Sequence, residues 1–172
     1  MNQTVLDAYN EQINEELYSA YLYLAMSSYF HSFNLPGAAH WMFVQYKEEL
    51  QHAEKFIHFI LERGPAYKLK EIKEPTNHWP SPLDAFKAAL THEKHITQCI
   101  NNLVELTLRE KDFSSMQFLQ WFVDEQVEEE ANASKIIDDI ERIGNDSKGL
   151  YFIDKELGNR PNMEPSSEAE AN

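Results

Sequence analysis

The five glycines (37, 64, 144, 149, 158) and seven prolines (36, 65, 75, 80, 82, 161, 165) leave four long stretches of the 172-residue chain with neither. These run from Thr4 to Phe33, Ala38 to Arg63, Leu83 to Lys111 and Ser114 to Ile143. Gly and Pro are the residues that most readily end a helix, so segments this long without them are free to be continuous helices. A stripe recurs every three or four residues in each. It is Leu6, Tyr9, Ile13, Leu17, Ala20, Leu24 in the first and Met42, Gln45, Glu49, Ala53, Phe56, Ile60 in the second. In the third it is Phe86, Ala89, Glu93, Ile96, Ile100, Leu103, Leu108, and in the fourth Leu119, Phe122, Gln126, Glu129, Ala133, Ile137, Ile140. That is helical periodicity, and four such faces bury one another in a bundle.

The connections set the topology. Asn34-Leu35-Pro36-Gly37 and Asp112-Phe113 are short breaks, so helices one and two, and helices three and four, are expected as antiparallel neighbours. Between the pairs, Gly64 to Pro82 holds four of the seven prolines. Fully extended it reaches ~60 Å, against ~40 Å for a bundle helix of about 27 residues, so it can run the whole bundle. The expected fold is all-α: a four-helix bundle with one long crossover between helices two and three, then a short fifth helix from Leu150 to Leu157. Residues 1–160 make the domain, and the polar tail 161–172 reads as disordered. The apolar Leu150, Tyr151, Phe152, Ile153 and Leu157 need partners, most economically in symmetry-related copies.

Charge narrows the partners. Asp plus Glu number 29 against 15 Lys plus Arg, a formal charge of −14, which favours cations and disfavours phosphate backbones and anionic membrane surfaces. No apolar run approaches the ~20 residues of a membrane helix, and no Lys or Arg precedes Lys47, so no charged leader is visible and a cytoplasmic location is expected. The single Cys99 excludes an intrachain disulfide and a thiolate-built metal site within one chain, and reads as core filler.

Six polar residues interrupt the apolar stripes: Glu16, Glu49, His52, Glu93, Gln126 and Glu129. A buried carboxylate costs several kcal/mol unless paired, hydrogen-bonded or metal-bound. In an antiparallel hairpin, residues at one height average to the middle of the turn. Glu16 with Glu49 or His52 averages to a point at or within a turn of the first break, and Glu93 with Gln126 or Glu129 falls within a turn of the second. The halves repeat: 33 residues separate Glu16 from Glu49 and Glu93 from Gln126, and 36 separate Glu16 from His52 and Glu93 from Glu129. The spacing predicts a twofold-related cage of oxygen and imidazole ligands across the core. Such a set suits two iron ions about 3.5–4 Å apart, bridged by carboxylate and leaving positions open for an oxidant. Di-iron bundles use Glu-x-x-His on two helices; here Glu49-Leu50-Gln51-His52 is one, and Gln126-Val127-Glu128-Glu129 replaces the other. Glu48, Glu125 and Glu128 lie beside these ligands, although the run Glu125 to Glu130 taken alone reads as a solvated helix face. His31, His40, His58, His78, His92 and His95 read as surface or packing residues without a level carboxylate partner. Tyr23 lies two turns from Glu16 on the same side, with packing and redox roles both open.

The chain resembles prokaryotic non-haem ferritins over residues 2–160. The matching strings are Asn14-Glu15-Glu16-Leu17-Tyr18-Ser19, Glu48-Glu49-Leu50-Gln51-His52-Ala53, His92-Glu93, Phe118-Leu119-Gln120-Trp121-Phe122-Val123 and Glu125-Gln126-Val127-Glu128-Glu129-Glu130, with a last match from Gly149 to Leu157. The resemblance implies a hollow 24-subunit shell that oxidises ferrous iron with dioxygen or hydrogen peroxide, as a ferroxidase, and stores ferric mineral. It assigns Glu16, Glu49 and His52 to a first iron and Glu49, Glu93 and Glu129 to a second, with Glu49 bridging. Gln126 falls beside the second and Tyr23 beside the first. It makes Glu48, Glu125, Glu128 and Glu129 a third iron site. Haem-binding relatives carry Met after the bridging Glu and a second Glu-x-x-His; Leu50 and Gln126-x-x-Glu129 stand there, so no haem is expected. The tail is Glu-rich rather than basic, against DNA binding. Two rival readings are a non-storing rubrerythrin-like di-iron peroxidase and a metal-free structural bundle.

Overall fold

Both pairs of long helices in this computed structural model, which describes residues 1–144 and 146–162, close with one kind of turn. The pairs are α1 (Gln3–Ser32) with α2 (Pro36–Glu62), and α3 (Pro82–Arg109) with α4 (Phe113–Ile143). Asn34 and Lys111 each adopt left-handed backbone, at φ 55°. The N–H that follows reaches back to the end of the helix: Leu35 N to Phe30 O at 3.1 Å, and Asp112 N to Thr107 O at 2.9 Å. Closing the last carbonyls this way ends a helix within two or three residues. Pro36 then starts α2 with a preset φ, while the Asp112 carboxylate accepts the Ser115 N–H at 3.2 Å and the Arg63 guanidinium at 3.1 and 3.2 Å. Both limits of each of these four helices fall within two residues of those predicted.

The crossover runs the length of α1, as its chain length allows. Near the start of α1, Asn10 Oδ1 accepts the Lys68 N–H at 2.7 Å; near its end, the Tyr29 hydroxyl donates to Trp79 O at 3.0 Å. The apolar interior is not continuous. One cluster gathers Val5, Tyr9, Ile13, Phe56, Ile60, Ile96, Ile100, Leu119 and Phe122. A second, at the other end, gathers Tyr23, Met26, Phe30, Ala38, Met42, Phe86, Ile137 and Ile140. Between them lies a band of buried polar side chains. Three packing expectations fail: Leu24 and Leu108 face outward at the edges of their stripes, and Cys99 is only half-buried, 3.6 Å from His95.

α5 (Ser147–Leu157) begins three residues earlier than expected, because Asp146 accepts the Lys148 N–H at 3.0 Å and Gly149 stays helical. A side chain at Gly149 would meet Ile143 at 2.9 Å, so the glycine lets α5 fold closely onto the end of α4. α5 also completes α2. Leu35 gives α2 no side-chain cap; instead Asp154 Oδ1 accepts the Ala38 N–H at 2.8 Å. An added Cβ at Gly37 would sit 1.6 Å from Asp154 O. Leu157 is buried and Ile153 packs on the same cluster, so these two find partners within the chain, contrary to expectation. Tyr151 and Phe152 stay exposed. No helix among the described residues is long and apolar enough to cross a membrane. The tail expected to be disordered lies, from residue 163, outside the described residues.

Asp154→Ala should lower the free energy of unfolding by about 1–2 kcal/mol, the usual cost of a lost helix cap, as measured by urea denaturation. Gly37→Ala should cost more, because the obstructing atoms are backbone.

Candidate metal centre

The polar band is built from one or two residues of each long helix. Glu16 comes from α1, Glu49 and His52 from α2, Glu93 from α3, and Gln126 and Glu129 from α4; all six are buried. Glu49 and His52 lie one turn apart, as do Gln126 and Glu129, so each pair projects from one face. The carboxyl oxygens and ring nitrogen form two triplets, Glu16/Glu49/His52 and Glu49/Glu93/Glu129, in each of which the ligand atoms lie within 4.8 Å of one another. Glu49 belongs to both. His52 Nδ1 lies 3.3 Å from Glu49 Oε2 and 4.0 Å from Glu16 Oε2, and its ring packs edge-on against Trp121 and Phe122.

Amide groups hold the carboxylates from behind. Gln12 Nε2 donates to Glu16 Oε1 at 2.9 Å, and Gln45 Nε2 donates to Glu49 Oε1 at 3.0 Å and Glu129 Oε1 at 2.9 Å. Gln126 Nε2 donates to Glu93 Oε2 at 3.2 Å. The sequence reading leaves Gln12 out and places Gln45 only in the stripe, yet a signal exists: each lies one turn before a proposed ligand, at positions that α3 and α4 fill with Ala89 and Phe122. The Tyr23 hydroxyl donates to Glu93 Oε1, a ligand that the resemblance assigns to the second iron rather than the first. Glu16 Oε2 and Glu129 Oε2 are buried with no partner. An orphaned carboxylate oxygen is costly in a dry interior, and a cation seated in each triplet would satisfy it.

Electrostatics supports that fit. Burial, with Glu49 close by, pushes Glu16 up to about 8 and Glu93 up to about 7. Burial and the Glu49 and Glu93 carboxylates lift Glu129 well above the ordinary range. Burial pulls His52 down, but the Glu49 carboxylate outweighs it, aided by Glu16 and Glu125, and raises the ring to about 9. Glu49, despite burial, is held below its usual value by His52. The raised groups favour protons where cations would bind, and a divalent ion seated there would displace them.

The outer acids are not one cluster. Glu125 and Glu129 come together with His52 in a third triplet. Glu48 is instead ion-paired with Arg160, and Glu128 is exposed, near enough to help raise Glu125. One histidine departs from the sequence reading: His95 Nε2 lies 3.1 Å from Glu15 Oε2. Half-buried His92 is hydrogen-bonded to Ser19 Oγ at 2.7 Å, as a packing residue. A groove of about 320 Å³ between α3 and α4 is lined by Thr97, Ile100, Val123, Gln126 and Glu130 among others, with Gln126 itself buried at its inner side.

A family profile described as a ferritin-like domain matches residues 6–143. The chain is 43% identical to a bacterial non-heme ferritin of Campylobacter jejuni, over 92% of this chain and 95% of that one. It is 41% identical to one of Bacteroides fragilis, over 93% and 99%. Among solved structures, an open pore ferritin from the archaeon Archaeoglobus fulgidus superposes with a TM-score of 0.93 at 49% identity, over 94% of this chain and 99% of that one.

The raised values fix the pH dependence of the metal-free protein. Between the ordinary carboxylate value of 4.5 and about 8, the folded chain holds a proton on Glu16 that the unfolded chain has released, so that contribution is lost as pH rises through this window. His52 acts in the same direction from 6.5 to about 9. The melting temperature should therefore fall from pH 5 to pH 9, less steeply in Glu16→Gln, and saturating Co(II) should reverse the fall with measurable proton release.

Proposed function

Because the chain belongs to the ferritin family, we propose that it takes up ferrous iron, oxidises it at the buried centre as a ferroxidase, and stores the ferric product. The observation that carries this reading is the pair of triplets sharing Glu49, each with an orphaned buried oxygen. Glu16, Glu49 and His52 bind one ferrous ion, and Glu49, Glu93 and Glu129 the other. One bridging carboxylate then holds both metals at the separation needed to deliver one electron each to a shared acceptor, dioxygen or hydrogen peroxide. The imidazole makes the first position more selective for iron, while the all-oxygen second position binds more loosely.

The protein's own groups manage charge. Glu16, Glu93 and Glu129 release their protons as cations arrive, so positive charge is exchanged rather than accumulated in the core. Tyr23 and Gln126, both donors to Glu93, orient its carboxylate. Glu125, with His52 and Glu129, provides a third and weaker position on the way out of the centre. Storage requires an enclosed space, and we assign the chain to a 24-subunit shell. Exposed Tyr21, Leu24 and Ile72 lie along one side of the bundle, and Tyr151 and Phe152 project from α5. Apolar side chains so placed are suited to contacts between copies.

Adding Fe(II) without oxygen and then admitting air, with particle mass followed throughout, tests the reading. Rapid oxidation by a large assembly that retains iron is expected. Oxidation by a monomer or dimer that retains none favours the peroxidase reading. Glu49→Ala should slow the first turnover more than Glu16→Ala, because it removes a ligand from both ions; equal loss contradicts the bridge.

A further inference from the structure

Arg160 lies three residues beyond α5, where its N–H bonds to Leu157 O at 3.2 Å, yet every group that holds its side chain belongs to α2. Its Nη1 donates to Gln45 Oε1 at 2.9 Å and to the Trp41 carbonyl at 3.3 Å, and its Nη2 pairs with Glu48 Oε2. The guanidinium lies over the Trp41 ring, 4.5 Å from its centroid, and the Arg160 carbonyl is hydrogen-bonded to His40 Nε2 at 2.8 Å. The Arg160 side chain is 18% exposed. The next link inward is Gln45, which is buried and directed at the metal centre.

A glutamine amide has the same shape either way round, so its neighbours alone decide which end is oxygen. Arginine has donors and no acceptor, and it therefore requires the Gln45 oxygen to face it. Both amide hydrogens are then turned to the far side, where Glu49 Oε1 and Glu129 Oε1 stand at 3.0 and 2.9 Å. Reversed, the amide would set its oxygen against two carboxylates and its hydrogens against a cation. Glu49 and Glu129 are the two ligands of the shared triplet that come from α2 and α4.

We propose that Arg160 is a positioning residue for the metal centre, acting through Gln45: it fixes the amide so that Glu49 and Glu129 are clamped by their Oε1 atoms and present Oε2 to the cations. It also engages Glu48, which keeps that acid off the cation path that Glu125 lines. The segment following α5 thereby sets the geometry of a site in the middle of the bundle. This rests on the two-metal reading above.

Co(II) tests it, since the ion stays divalent in air and its visible absorption reports coordination geometry. Isotherms for the two strongest Co(II) equivalents are compared in the full-length assembly for wild type, Arg160→Ala, Arg160→Lys, Gln45→Ala and the double variant Arg160→Ala/Gln45→Ala. Arg160→Ala should weaken binding roughly tenfold, the lower end for loss of a group that orients a metal ligand, and should change the Co(II) band. Arg160→Lys keeps the charge beside Glu48 and seats the segment, but lacks the fork that spans Gln45 and Glu48, and should show the same loss. In the Gln45→Ala background, removing Arg160 should have no further effect. An unchanged isotherm in Arg160→Ala, full affinity in Arg160→Lys, or a loss that persists without Gln45 each overturns the assignment. A wild-type protein that binds no Co(II) removes the metal centre itself, a failure separable from these.

Discussion

Keeping three carboxyl groups and an imidazole from four helices level around the Glu49 carboxylate is the constraint on which the architecture turns. The polar band splits the apolar interior into two clusters, so neither end of the bundle can slide without moving ligands. A slip of one helical turn is about 5.4 Å, more than the 4.8 Å that spans a whole triplet. Register is accordingly fixed at both ends. The turns at Asn34 and Lys111 close each hairpin in the same way, Arg63 ties α2 to Asp112 at one end, and Asp154 of α5 caps α2 at the other.

The two hairpins share a backbone plan but not a chemistry. α1 and α2 support their ligands with Gln12 and Gln45, whereas Glu93 on α3 is held by Tyr23 and Gln126. One position contains an imidazole and the other only oxygens. A near-twofold bundle thus offers two unlike groups of ligand atoms, a difference that the proposed two-metal reaction would use.

The net charge of −14 takes on a more specific meaning at the centre. Burial and mutual repulsion keep Glu16, Glu93 and Glu129 protonated where exposed carboxylates would be ionised. A cation bound at the proposed centre would displace these protons and uncover the negative charge beneath them. The outer acids are placed differently: Glu128 is exposed, and Glu48 is ion-paired with Arg160, although burial still raises its carboxyl.

The sequence by itself determined the helices, their pairing and the height at which their polar residues meet. These follow from local rules: Gly and Pro end helices, apolar residues repeat with the helical period, and a short turn forces antiparallel neighbours. Glu16, Glu49, His52, Glu93, Gln126 and Glu129 were legible because they break an apolar stripe at matched spacing. Tertiary structure alone decided what surrounds them. That Asp154 caps α2, that Glu48 faces Arg160 rather than Glu125, and that His95 meets Glu15 depend on residues 80 to 116 positions apart. Leu24 and Cys99 carry the right period but sit at the edge of their stripes. A one-dimensional pattern gives the face of a helix; the rotation of that face against its neighbours is set only when all five helices pack.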